Sequence, residues 1–335
     1  MEGAFRRMRF VGSGALNLDI FYEVPDLRGL KFRGISFRPG GEVSGDRGTL
    51  YALRDYLEAR GRFLGACGGG SAANTIYALA RFGFETAFIG AAGEDEEGER
   101  VLSELSAEGV KLSRIKISGT TGLALIVLDE RRDRFIFVSP GTAESALADF
   151  DPPLNEGEWL HLSSLVTEEG FSFHKRLILR ALGPISLDPG EIYVARGREA
   201  LKPILQRVTH LFVTERELAV LACSGKELFE TGIGVLFVKM GPRGARIVLP
   251  EKEISLSAEP PPRLIDNTGA GDFFDAGVLA GLARGLPYEK ALKLGLKVAA
   301  TSLSNYGRRG CPKREEFLHW IRKLEGGCES ETLKS

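Results

Sequence analysis

The chain has 335 residues, 43% of them apolar and 27% charged, and a formal net charge of -1. This balance is that of an ordinary globular protein and excludes a basic nucleic-acid surface or an acidic tail. No run of about 18 apolar residues offers a membrane span, and "MEGAFRRMRFVGSG" lacks the long apolar core of a secretory signal, so the cytoplasm is the expected location.

Cys67, Cys223, Cys311 and Cys328 have no CxxC spacing, which favours buried free thiols over a zinc site. A Cys311–Cys328 bridge would require a hyperthermophilic source. One Gln and five Asn among many charges give the chain a thermophile's composition.

In chain order, "FVGSGALNLDIFYEV" from Phe10 reads as a buried strand that emerges into a polar loop, and residues 28–48, rich in Gly and Arg, read as irregular. "LYALRDYLEARG" (50–61) has the spacing of a charged surface helix, and "SAANTIYALARFG" is a second helix closed by Gly83. "ETAFIGAAG" is a strand. "EDEEGERVLSELSAEG" is an amphipathic helix with acidic residues in its first turn, where the helix dipole favours them. "TGLALIVLDERRDRFIFVSPG" then breaks the rhythm as a hairpin (121–138) around "DERRD", which reads as a solvated turn. After residue 155 the runs "EWLHLSS", "PISLDPG", "THLFVTE" and "GVLFVKMG" are mostly separated by helical stretches. This alternation predicts an α/β protein with a doubly wound, mostly parallel sheet, and the two segments that interrupt it predict a small β lid. No repeat or long linker divides the chain. Glycine clusters follow "RFLGA", "TAFIG", "LFVKM" and "RLIDNT", at the strand ends where open sheets collect ligands.

The chemistry concentrates in "DNTGAGD" (266–272), followed at once by the apolar helix "FFDAGVLAGLARG". That helix places Phe274, Gly277, Val278, Gly281 and Leu282 on one face, and its small residues would let it pack close to the sheet. Its first turn has free N–H groups and a partial positive charge, and Gly269, Ala270 and Gly271 leave them accessible to a phosphate. Asp272 beside such an anion hole makes sense if it faces a hydroxyl and accepts its proton as the oxygen attacks phosphorus, with the helix dipole keeping it ionised. The competing structural role is that of a simple N-cap.

"DNTGAGD" and its helix resemble the C-terminal signature of the ribokinase family, the phosphofructokinase-B type of carbohydrate kinases. "GGGSAANTIYALARFGFETAFIGAAGEDEEG" (68–98) resembles the N-terminal one, through Gly69, Gly70, Asn74, Gly83, Gly90, Gly93 and Asp95. "GSGALNLDIF" is similar to the family's first strand, with Asp19 at its end, so the resemblance runs from about 10 to 323. It implies one ribokinase-like domain over 1–335, with the lid formed by about 20–48 and 118–140, and a kinase using ATP or ADP. Asn17, Asp19, Gly69, Gly70 and Asn74 would line the acceptor pocket. Asp272 would be the catalytic base, and Gly269, Ala270 and Gly271 the anion hole. "KMGPRG" resembles the nucleotide turn, assigning Lys239, Gly241 and Gly244 to the nucleotide with Thr214. "VAATSLSNYGRRG", Asn305 included, would flank the adenine. Glu217 would organise Mg²⁺ through water, and Asp266 is the candidate contact for K⁺. Dimers are common in the family.

Two positions depart from the family pattern. In "TERE", Thr214 stands where the family usually has Asn, and Thr could still donate a hydrogen bond while Glu217 keeps its place. Asn267 replaces the usual Thr, which unsettles the monovalent-cation site. "GSGALN" lacks the third glycine of a dinucleotide fingerprint, and "SGKE" lacks the P-loop spacing. His161, His174, His210 and His319 are unclustered and read as ordinary residues. The acceptor could be a sugar, a nucleoside or a sugar phosphate. The last would need cations from Arg28, Arg33, Arg38 and Arg47 or from Arg131, Arg132 and Arg134. A sensor that binds the same ligands without chemistry is the reading from a different class.

Overall fold

Phe10, Phe88, Phe212 and Phe237 face one side of a nine-stranded sheet, and their neighbours Val11, Ile89, Val213 and Val238 face the other. Side chains alternate along a strand, so strands buried on both faces read as continuous apolar runs. The computed structural model describes residues 8–221 and 225–326. Its first half runs β1 (Arg9–Ser13), β2 (Asn17–Val24), β3 (Lys31–Phe32), β4 (Ile35–Ser36), β5 (Gly41–Ser44), α1 (Arg47–Glu58), β6 (Arg62–Gly69), α2 (Ser71–Arg81), β7 (Glu85–Ala92), α3 (Glu96–Ala107), β8 (Lys111–Ile117), β9 (Gly122–Asp129) and β10 (Arg134–Ser139). The second half runs β11 (Glu158–Ser163), α4 (Glu168–Arg180), β12 (Ile185–Asp188), α5 (Gly190–Val194), α6 (Arg198–Leu205), β13 (His210–Thr214), α7 (Glu215–Leu221), α8 (Gly225–Phe229), β14 (Val235–Lys239), β15 (Ala245–Val248), β16 (Glu253–Leu256), α9 (Ala270–Ala283), α10 (Tyr288–Ser302) and α11 (Arg314–Glu325).

The large sheet has the order β16-β15-β14-β13-β12-β11-β1-β7-β8. It is parallel from β14 to β8, and β15 and β16 extend it antiparallel. Helices α2, α9, α10 and α11 cover the phenylalanine face, and α4 to α7 cover the other. This is the expected α/β architecture. A second sheet, ordered β5-β10-β9-β2-β6, stands apart from it and contains the predicted hairpin as β9 and β10. Among the described residues, no helix is long and apolar enough to cross a membrane.

Several local expectations are corrected. "FVGSGALNLDIFYEV" is two strands in two sheets. The chain breaks at Gly14, where a Cβ would come within 2.2 Å of Ser163 Oγ, and β2 continues into the second sheet. "RFLGA" lies in β6, antiparallel to β2, rather than in the parallel sheet. "RLIDNT" is loop, tied down where Ile265 N donates to the Leu303 carbonyl at 2.8 Å. Helix α1 is less exposed than its charge suggests, since Leu50, Leu53 and Leu57 are fully buried. The "DERRD" turn is organised from within. Asp129 is fully buried, and its Oδ1 accepts from Arg131 N at 2.9 Å and from Asp133 N at 3.0 Å.

His161 and His174 are core residues, His210 is half-buried and His319 is exposed. His174 bridges Ser13 Oγ at 3.0 Å and Tyr193 OH at 2.8 Å, and burial pushes its pKa down to about 3. Burial also takes His161 and His210 down to about 4. Cys67 and Cys311 are buried free thiols. Cys223 and Cys328, and with Cys328 the proposed bridge, lie outside the described residues.

Candidate active site

Helix α9 begins on Gly269, which has φ 76° and ψ 0°, and no side chain caps the N–H groups of its first turn. Ala270 N makes only a long 3.4 Å contact to the Asn267 carbonyl. The small face of the helix packs on α10, not on the sheet as expected. A Cβ at Gly277 would lie 2.7 Å from Gly295 Cα, and one at Gly281 would lie 3.0 Å from Ala291 Cα. On the other side α2 docks against the helix entrance. Asn74 Nδ2 donates to Asp272 Oδ2 at 2.8 Å, and Thr75 Oγ1 donates to the Asp272 carbonyl at 3.1 Å.

Each glycine of "GGG" meets a separate close approach. A Cβ at Gly68 would sit 2.1 Å from Arg308 Nη1, and one at Gly69 would sit 2.2 Å from the Asp19 carboxylate. At Gly70, with φ 94°, it would sit 2.0 Å from the Ala15 carbonyl oxygen. The strand pair β2–β6 sets Asn17 opposite Gly69 and Asp19 opposite Cys67, so Asn17 and Asp19 face the same way. Burial raises the Asp19 pKa from 3.8 to about 7, against the pull of Arg308 and with help from Asp272 and Asp266. Burial raises Asp272 to about 6, with a push from Asp188 and opposition from the Asn74 bond and Lys239. Asp272 thus stays largely ionised at neutral pH, but its environment works against its charge, and the helix dipole does not govern it.

Beside the first turn of α9 is a charged cluster centred on Lys239. Lys239 Nζ donates to Asp188 Oδ2 at 2.6 Å and lies 3.6 Å from Asp275 Oδ1. A Cβ on Gly271 would be 3.3 Å from the same ammonium. Burial works against that charge, but Asp188, Asp275 and Glu217 hold it ionised and raise its pKa. Burial likewise works against the Asp188 carboxylate, but Lys239 keeps it below the usual range. Asp275 is fully buried, neither of its oxygens has a hydrogen-bond partner, and burial raises its pKa well above the ordinary value. The "TERE" departure is a capping box. Thr214 N donates to Glu217 Oε2 at 2.7 Å, and Thr214 Oγ1 accepts from Glu217 N at 3.2 Å. The Thr hydroxyl accepts from Glu217 N and keeps its own O–H to donate, and the cap holds Glu217 at the head of α7.

One cavity of about 790 Å³ joins these groups. Asn17, Asp19, Gly70, Asn74, Thr214, Glu217, Lys239, Gly241, Gly269, Gly271 and Asp272 line it. It follows the carboxyl ends of β1 and β11 to β14, four strand spacings or roughly 19 Å, enough for a nucleotide and a small acceptor end to end. Gly69 and Ala270 support this wall without lining it. A Cβ at Gly244 (φ 104°) would sit 2.0 Å from the Leu256 carbonyl oxygen, and Asn305 is exposed and caps Tyr306 N; neither lines the cavity. Asp266 also lies behind the wall. It is 1% exposed, and its oxygens accept from Thr268 N at 2.8 Å and Gly307 N at 2.9 Å. Of the candidate arginines, Arg134 lines the cavity. Arg47 donates to the Thr121 carbonyl, Arg132 to Glu23, and Arg28 pairs with Asp133.

Asp188, Asp275 and Arg308 had no role assigned from the sequence. "LDPG" carried a signal for Asp188, a carboxylate at the end of a buried strand, and "FFDAG" one for Asp275, an acid inside an apolar helix. Arg308 had no comparable local signal. It lies in the stretch expected beside the adenine, yet it contacts Asn74 and Gly69.

A two-sheet α/β kinase fold, a glycine-opened helix and a carboxylate in the shared cavity define a phosphotransferase class, and the pfkB family carbohydrate kinase model matches residues 60–314. The chain belongs to this pfkB family. It is 32% identical over 246 residues to an uncharacterized sugar kinase of Archaeoglobus fulgidus, covering 70% of this chain and 98% of that one. The structure of Methanocaldococcus jannaschii nucleoside kinase superposes with a TM-score of 0.75 at 21% identity, covering 96% of this chain and 99% of that one. Arabidopsis thaliana ribokinase, solved with ribose and ATP, superposes with a TM-score of 0.71 at 21% identity over 94% and 99%. These two structures bear on the fold. The protein is a sugar or nucleoside kinase, a phosphotransferase acting on an alcohol group.

The raised carboxyl pKa values carry a stability cost. An acid whose folded pKa lies above its unfolded one binds more protons when folded, so stability falls as pH rises from about 4 to 7. Asp19, at about 7 against an ordinary 3.8, is predicted to destabilise the fold at pH 8. Asp19→Asn should then gain about 2–4 kcal/mol at pH 8, roughly 3–6 °C in Tm, and little at pH 4. Differential scanning calorimetry at both pH values checks this; an equal shift at both would contradict it.

Proposed function

We propose that the chain transfers the terminal phosphoryl group of ATP to a hydroxyl of a neutral sugar or nucleoside. The observation that carries this reading is Asp272, held by Asn74 at the uncapped mouth of α9 inside the cavity that Asp19 and Asn17 also line. The acceptor hydroxyl lies against Asp272, and Asn17, Asp19 and Asn74 take the remaining hydroxyls. Asp272 orients the attacking oxygen and accepts its proton late, as a loose phosphoryl-transfer transition state allows. A pKa of about 6 suits a base working near neutrality. The amides of Gly269, Ala270 and Gly271 receive the transferring phosphoryl oxygens, and Lys239 beside Gly271 adds a fixed positive charge.

The nucleotide takes the stretch lined by Thr214, Glu217, Lys239 and Gly241. Carboxylates outnumber ammonium groups there, with Asp188 and Glu217 against Lys239, so a polyphosphate needs an accompanying cation. A pair of carboxylates beside phosphates is the donor set that Mg²⁺ prefers, and bound Mg²⁺ would neutralise charge on the phosphates. Glu217→Gln is expected to raise the Mg²⁺ concentration for half-maximal rate by about tenfold, with the acceptor KM unchanged. A Mg²⁺ titration at fixed ATP measures it, and an unchanged midpoint would remove Glu217 from metal handling.

Charge also separates the acceptor classes. Asp19, Asp272 and Glu42 line the cavity, and the lid offers Arg134, whose charge already acts on Glu42. A second phosphate on the acceptor would meet more repulsion than attraction there, which favours neutral acceptors over sugar phosphates. The test is ADP release from ATP against a panel of ribose, fructose, inosine and ribose phosphates. Turnover with ribose, fructose or inosine supports the reading. Turnover confined to the phosphates would overturn the acceptor class, and none at all would favour a non-catalytic binder.

A further inference from the structure

Arg308 stands in the short turn Gly307–Gly310 and is 3% exposed. Its Nε donates to Asn74 Oδ1 at 2.9 Å and its Nη2 to the Gly69 carbonyl at 3.1 Å. Its Nη1 has no hydrogen-bond partner and lies 3.6 Å from Glu104 Oε2. Tyr77 lies beneath it, with the guanidinium carbon 5.4 Å from the ring centroid. A purely structural buried arginine in the same chain looks different. Arg114 forms a closed pair with Glu158, with two bonds of 3.0 Å. Arg308 forms no such pair, and its fork closes instead on an amide and a carbonyl at the acceptor wall.

The consequence lies in the Asn74 amide, which has one accepting oxygen and one donating nitrogen. With Oδ1 committed to Arg308, Nδ2 must face Asp272, where it donates at 2.8 Å. The flipped amide would set donor against donor at Arg308 and oxygen against oxygen at Asp272. Gly68 is the residue that admits the guanidinium, since a Cβ there would collide with Nη1 at 2.1 Å.

We propose that Arg308 is the positioning residue of this kinase, orienting Asn74 so that Asp272 is held for proton acceptance and compensating the carboxylates of the acceptor pocket. The proposal rests on the reading of Asp272 as base. The groups that face Arg308 are Asp19 from β2, Cys67 from β6, Tyr77 from α2 and Glu104 from α3, with Asp272 behind Asn74. Arg308 is the largest influence opposing the upward shift of Asp19. Its removal lets Asp19 hold its proton to higher pH and leaves Asp272 without a fixed donor, and both effects move the acid limb of the rate profile to higher pH.

The test compares Arg308→Gln, Arg308→Lys and Asp272→Asn with the parent enzyme over pH 5–9, with ribose, fructose and inosine as acceptors. Arg308→Gln is expected to lower kcat by about ten- to a hundredfold through misplacement of the base. It should also shift the acid limb upward by about one pH unit. Arg308→Lys keeps the charge but cannot fork onto both Asn74 and Gly69, so it should reverse the part of the limb shift that the charge causes and leave kcat low. Crystal structures of the variants show whether Asn74 still contacts Asp272 and need no turnover. Loss of the Asn74–Asp272 contact supports the proposal. A lowered Tm with kcat per folded enzyme, acid limb and Asn74 contact all unchanged would reduce Arg308 to a structural residue. Should Arg308→Gln fail to fold, Arg308→Lys carries the test through its lowered kcat and the lost Asn74–Asp272 contact. Wild-type turnover by Asp272→Asn would sink the base assignment separately.

Discussion

Asp272→Asn is expected to lower kcat by roughly a hundredfold or more and leave the fold as stable as before, or more so, above pH 6. The substitution keeps the shape and an oxygen that can still accept from Asn74 Nδ2, now 2.8 Å from the carboxylate. What disappears is the ability to take the acceptor's proton. The carboxyl pKa is raised to about 6 in the fold, so the ionised group opposes folding at neutral pH, and its removal relieves that penalty. The parent kcat should therefore rise through an acid limb near pH 6, and the residual rate of the variant should lack that limb. Steady-state kinetics from pH 5 to 9 with calorimetry on the same samples measure both. A variant that keeps the limb assigns it to another group, and one that turns over at the parent rate ends the role of Asp272.

Lys239→Met should be costlier to the molecule as a whole. Lys239 bonds Asp188 at 2.6 Å, approaches Asp275 at 3.6 Å, and is the ammonium beside Gly271 at the proposed anion hole. Removing one partner of a buried ion cluster strands the other charges, at about 3–5 kcal/mol. Loss of a charge aimed at the transferring phosphoryl group adds about 10²–10³ in kcat. The two effects separate in the pair Lys239→Met with Asp188→Asn, which removes the stranded charge. Stability should largely return in the double variant while kcat stays well below that of Asp188→Asn alone, the reference needed because Asp188 also stands in the proposed Mg²⁺ set. If kcat recovers together with Tm, Lys239 serves the fold and the chemistry does not need it.

Periodicity made the parallel strands and the hairpin legible, because strands buried on both faces and strands around a turn leave short-range patterns. It did not separate β1 from β2. "FVGSGALNLDIFYEV" carries no turn signal strong enough to divide it, and what divides it is the tight passage of Gly14 by Ser163, residues far apart in the chain. The bare helix entrance at Gly269 could be read from residue size alone, and the structure caps it with no side chain. Its electrostatics could not. The helix dipole is a local property, whereas the pKa of Asp272 is set by burial and by Asp188, which arrives from another strand. Arg308 reaches Asn74 across 234 positions of sequence, so no local pattern could disclose that contact. The Thr214–Glu217 cap spans three residues and matches a known pairing, yet the family analogy directed attention to a hydroxyl that donates.

The most direct test of the arrangement at α9 is a crystal structure of the protein with Mg²⁺, ADP, aluminium fluoride and whichever of ribose, fructose or inosine it phosphorylates. The account predicts the fluoride mimic on the amides of Gly269 to Gly271, with the acceptor hydroxyl in line and within hydrogen-bond distance of Asp272. A mimic held away from those amides, or an acceptor hydroxyl out of reach of Asp272, would contradict it.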